Sequence, residues 1–157
     1  MNVEKFFDDL DKKHQEENER VILAENKRKQ REKENAEFLE MFNSYYSKNL
    51  LKEFRELKTK MKEKFNVEYE QSTKLQQINV FSGHLTITSK FDSLTKFVRI
   101  VVIGEADRRL VTFYGEAYDS KSQKLKKKSP IFQDTFEKFI ELNIEDEIIN
   151  ILKCYFI

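Results

Sequence analysis

Tryptophan is absent, and 157 residues hold one proline, one cysteine, two histidines and three glycines. Each shortage removes a class of chemistry. Glycines only at 83, 104 and 115 leave no phosphate-cradling loop and no dinucleotide fingerprint. One cysteine, Cys154, excludes an internal disulfide and a multi-cysteine metal site. Its neighbours Leu152, Tyr155 and Phe156 predict a buried, unreactive thiol. His14 and His84 form no His-x-His or His-x-x-x-His pair, and no Gly-x-Ser-x-Gly elbow is present. Neither charge sign dominates, with 29 Lys and Arg against 28 Asp and Glu, so net charge names no partner. No apolar run approaches a membrane span. The start, MNVEKFFDDLDKK, lacks an apolar signal core. The expectation is a cytoplasmic protein without membrane contact, cofactor, metal or catalytic motif.

What is present is charge and phenylalanine. Charged residues reach 36% against a usual quarter, and 39% hydrophobic is low. Fourteen Phe and six Tyr offset this, because each ring buries a large area. A real core with a polar extension follows, divided as an arm over residues 1–35 and one domain over 36–157.

Residues 38–65 carry the clearest pattern. Leu39, Phe42, Tyr46, Leu50, Phe54, Leu57, Met61 and Phe65 recur at steps of three or four, which places them on one face of an α-helix. Upstream, Val3, Phe6, Phe7 and Leu10 form one apolar patch, and Val21, Ile22, Leu23 and Ala24 another. The polar stretch between them breaks any sustained coiled-coil seam. An isolated helix of this composition is marginal, so order in the arm implies a contact.

After Phe65 the period becomes two. Residues 66–71, 75–81, 84–91, 96–103 and 110–118 read as strands, with Ser82-Gly83 as a hairpin turn, Asp92-Ser93 as another and 104–109 as a loop. The run KFVRIVVI (96–103) predicts a central strand covered on both sides, by the long helix and by the C-terminal helices or a second copy. Short connections require antiparallel neighbours. Ser129-Pro130 predicts the start of a helix that buries Ile131, Phe132, Phe136, Phe139 and Ile140. Asn143 then caps a second helix bearing Ile144, Ile148, Ile151, Leu152 and Tyr155. The fold class is α+β: a long N-terminal helix, a four- to five-stranded antiparallel meander and two short C-terminal helices.

Candidate sites follow from charge. Residues 1–19 hold seven acids and three bases, while 20–33 hold six bases and two acids. Lys48, Lys52, Arg55, Lys58 and Lys62 form a basic stripe on the helix. The loop 121–128 adds five lysines, among them Lys124, Lys126, Lys127 and Lys128. The loop cluster Glu105, Asp107, Arg108 and Arg109 reads as a solvated turn or an ion site. Arg99, within an apolar strand, points to a cross-strand pair with Glu116 or to a cavity shared with Phe97, Tyr114 and Tyr118.

These features favour a protein-interaction and assembly module that forms a homodimer through its arm, anchored by Phe6, Phe7, Leu10, Val21 and Ile22. Another protein could take the same anchors. A less favoured alternative is non-specific nucleic-acid binding by the basic stripe and the lysine segment.

Overall fold

The computed structural model describes residues 2–72, 79–91, 96–119 and 125–157. Helix α1 (Val3–Tyr45) passes through one π-helical turn (Tyr46–Leu50) into α2 (Leu51–Met61) without a break in the rod. The apolar spacing explains the turn. Phe42, Tyr46, Leu50 and Phe54 are each four residues apart, and every such step overshoots an α-helical turn by about 40°. Three in a row would swing Phe54 away from the core. A wider π turn absorbs that rotation, and all four side chains are buried.

Strands β1 (Phe65–Ser72), β2 (Val80–Ser89), β3 (Lys96–Glu105), β4 (Leu110–Asp119) and β5 (Leu125–Lys128) run as an antiparallel meander in chain order. A short β6 (Phe132–Asp134) pairs with β4 beside β5. Thr135 caps α3 (Phe136–Phe139), and Asn143 accepts from the Asp146 amide at 3.2 Å to cap α4 (Ile144–Phe156). The fold is α+β, with a long N-terminal helix, an antiparallel meander and short C-terminal helices.

The register aligns the core in rows. Val67, Ile87, Val98 and Ala117 are successive cross-strand partners, as are Leu85, Ile100 and Gly115. The three glycines all lie on this face, beneath helices. A Cβ on Gly83 would lie 2.2 Å from Tyr46 Oη, one on Gly104 would lie 3.0 Å from the Phe42 ring, and one on Gly115 would lie 2.5 Å from Ile151 Cγ2. Glycine here admits close helix–sheet contact.

Several expectations are corrected. Gly83 sits inside β2 with ordinary negative φ, so Ser82-Gly83 is not a turn. Gly104 likewise belongs to β3, and the turn is Ala106–Arg109, closed by the Arg109 amide on the Ala106 carbonyl with Arg109 at φ 53°. Ser129 starts no helix, because its hydroxyl accepts the Gly115 amide at 2.7 Å and its own amide donates to Gly115 O. Residues 125–128 form a strand, and Phe132 lies in another. Ile131 and Ile140 are exposed, whereas Phe139 is fully buried. Cys154 is exposed as well, on the outer side of α4. Both helical groups cover the same sheet face, so Phe97, Arg99, Val101 and Ile103 on β3 remain partly exposed on the other. The Asp92-Ser93 turn and most of the predicted 75–81 strand lie outside the described residues.

Candidate functional site

Three surfaces carry the candidate residues, and the arm is the largest. Residues 3–33 of α1 are all exposed. At 1.5 Å per residue they project roughly 45–50 Å from the domain. Val3, Phe6, Phe7, Leu10, Val21, Ile22 and Leu23 are 40–67% exposed, which is unusual for large apolar side chains. The helix itself holds few stabilising contacts along this length. Arg28 bridges Glu25 at 2.6 Å and Glu32 at 3.2 Å, and Gln30 donates to Glu34 at 3.1 Å. Such fully exposed, solvent-screened pairs contribute little to stability.

The arm leaves the domain through a polar clamp. Asn35 is buried, and its Nδ2 donates to Asp107 Oδ1 at 2.8 Å. Asn79 Nδ2 reaches both oxygens of the same carboxylate at 3.3 and 3.4 Å, while its carbonyl accepts the Ala106 amide at 2.9 Å. Arg109, held in the left-handed region at the end of the turn, pairs with Glu34. Arg108 pairs with Glu105 at 3.3 Å. The charged loop is therefore a socket that grips the helix. Among the described residues, no group of three or more His, Cys, Asp or Glu converges as metal ligands. Asn35 and Asn79 were not singled out by sequence reasoning. The available signal was an asparagine interrupting a three- and four-residue spacing that resumes at Phe38 and Phe42.

The uncovered sheet face brings the predicted Arg99 group together. Arg99 and Glu116 are register partners, flanked by Thr86 on one side and Lys128 on the other. Glu116 is nonetheless taken by others: the Tyr118 hydroxyl donates to it, and Lys128 Nζ lies 3.9 Å away. That hydrogen bond, and then burial, raise the Tyr118 pKa, whereas burial leads for Tyr114. The Arg99 guanidinium stacks over the Tyr118 ring at 5.4 Å, with its Nε buried and without a hydrogen-bond partner. Phe97 stacks on Tyr118 at 5.0 Å, and Lys128 lies 4.6 Å over Tyr114. Each charge is thus covered by a ring or an opposite charge on a sheet surface.

The basic stripe is exposed along α2 and the π turn. Arg55 donates to the Tyr69 hydroxyl at 3.2 Å, Lys58 sits over that ring at 6.0 Å, and Lys90 donates to the Lys62 carbonyl. Lys128 belongs to the opposite sheet face, paired with Glu116, so it does not extend the stripe. The side chains of Lys124, Lys126 and Lys127 lie outside the described residues.

No family model, no curated protein and no solved structure matches this chain. Among the described residues no helix is long and apolar enough to cross a membrane.

Proposed function

We propose that this protein is a non-enzymatic assembly module that self-associates through its helical arm. One observation carries the reading: the arm stands clear of the domain while exposing two apolar clusters, Val3, Phe6, Phe7 and Leu10, then Val21 and Ile22. A solvated helix gains nothing from such residues, and most helix stability in proteins comes from packing an apolar face. Burial against another helix supplies the missing stabilisation. The domain contributes a fixed platform through the Asn35–Asp107 clamp.

The test is the solution mass of the full chain against a Phe7→Lys/Val21→Lys variant. The reading expects a multimer that the variant converts to a folded monomer. Identical masses with unchanged partners would contradict it.

A second reading rests on the exposure of Lys48, Lys52, Arg55, Lys58 and Lys62 along one helix side. Five phosphate contacts would make nucleic-acid binding steeply salt-dependent. Absence of binding at low salt removes that reading.

A further inference from the structure

The arm's exposed residues contain an ordered seam. Val3, Phe7, Leu10, His14, Glu17, Val21 and Ala24 follow the alternating four- and three-residue steps of a heptad, apolar at both ends and polar in the middle. The same steps continue through Arg28 and Arg31 to Asn35, Phe38 and Phe42, the residues that face the domain. A straight helix drifts only about 20° per heptad from this repeat. Over the two heptads from Val21 to Asn35 this is about 40°, and over the five from Val3 to Phe38 about 100°, so the sheet-facing side adjoins the seam at the base of the arm and turns away from it towards the tip.

We infer that two arms pair antiparallel, with Leu10 against the partner's Val21, Phe7 against the partner's Ala24, and His14 against the partner's Glu17. This deepens the self-association proposed above and rests on it. The apolar match is met by a parallel pair as well, so ring size, the polar positions and the charge blocks select the arrangement. In this register every apolar seam residue from Phe7 to Ala24 meets an apolar one, and the large Phe7 meets the small Ala24. The two polar positions, which would face their own kind in a parallel pair, meet as imidazole and carboxylate. The acidic first half of each arm also lies along the basic second half of the other.

The domain supplies the strongest argument. Because it begins at Asn35, two heptads and about 40° from Val21 on the seam, a parallel pair would crowd both domains together at the same end of the helices. In the antiparallel register Val3 lies opposite the partner's Arg28, so each arm ends just short of the other domain. The flanking positions act against this choice, since Glu4 approaches the partner's Glu25 and Lys13 the partner's Arg20. Those side chains are exposed, long and screened by salt, so their repulsion is small beside a clash between folded domains.

Electron–electron distance measurements on single spin labels test the register in the full chain. With the exposed Cys154 replaced by serine, labels are placed one at a time at Lys5, Lys12, Glu19 and Asn26, all on the side away from the seam. The axial offset between a label and its twofold mate is about 30 Å at Lys5 and Asn26, and about 10 Å at Lys12 and Glu19. Expected distances are thus long at the two ends and shortest in the middle. Equal distances at all four positions would mean a parallel pair, and a minimum elsewhere a different register. Either result overturns this inference but leaves self-association standing. Loss of any dipolar signal, with a monomeric mass for the unlabelled chain, removes both.

Discussion

The Asn35 amide donates to the Asp107 carboxylate at 2.8 Å across 72 residues of sequence, and it marks where the long helix meets the domain. Up to residue 33 the helix is exposed on all sides; from Asn35 onward one side, with Phe38 and Phe42, is buried. Asp107 also holds Asn79, so one carboxylate joins the arm, the start of β2 and the β3–β4 turn.

Removing that carboxylate should loosen the joint. Asp107→Ala leaves the buried Asn35 amide without its acceptor, at a cost of about 1–3 kcal/mol in urea unfolding. Hydrogen exchange around residues 34–38 should rise in parallel. An unchanged midpoint would show that the clamp contributes nothing to stability.

Gly83 is the tightest point beneath the helix. Its substitution by alanine places a methyl 2.2 Å from Tyr46 Oη, against a ring that is fully buried and cannot swing aside. Gly83→Ala should destabilise by about 1–3 kcal/mol. Combined with Tyr46→Leu, the two effects should be strongly non-additive. Simple additivity would contradict the packing described here.

Glu53 gives a pH dependence. Desolvation first, then the neighbouring Glu56 and Glu145, raise its pKa above the ordinary 4.5. A buried Oε2 lacks a hydrogen-bond partner. The folded state therefore disfavours the carboxylate. This group costs nothing below the unfolded pKa, where it is neutral in both states, and destabilises progressively as pH rises through the folded value. Glu53→Gln should raise the melting temperature at pH 7, by an amount that shrinks towards zero below about pH 4. A constant difference across that range would refute the assignment.

The seam makes a position-specific prediction. Val21 lies on it, while Leu23, equally apolar and 55% exposed, points away. Val21→Lys should dissociate the assembly by at least tenfold in affinity, and Leu23→Lys should leave it intact. Equal effects would mean that the cluster acts as an unstructured greasy patch.

Much of the scaffold was legible because periodicity reports burial directly. The stripe from Leu39 to Met61 and the strands around KFVRIVVI were placed by it, and Asn143 by its capping chemistry. The π turn at Tyr46–Leu50 is absent from that reading, which takes the stretch as one uninterrupted α-helix, although three consecutive four-residue steps from Phe42 to Phe54 overshoot an α-helical turn. Gly83 was misplaced because glycine serves close packing as readily as a turn, and only the position of Tyr46 decides between them. Ser129 was misplaced because its hydroxyl is taken by Gly115, a partner fourteen residues away. The apolarity of β3 suggested two covers, yet Val101 lies between His84 and Tyr114 on a face lined with charges. At the candidate site, the exposed arm residues were readable one by one. The Asn35–Asp107 clamp depended on a contact between distant segments, for which no local pattern exists.

The most direct test of the central claim is sedimentation equilibrium on the full chain at micromolar concentration and physiological salt. The account predicts a mass of twice the 18.9 kDa chain, falling to that of one chain in Phe7→Lys/Val21→Lys with the fold retained. A single-chain mass for the unmodified protein at every concentration would contradict it.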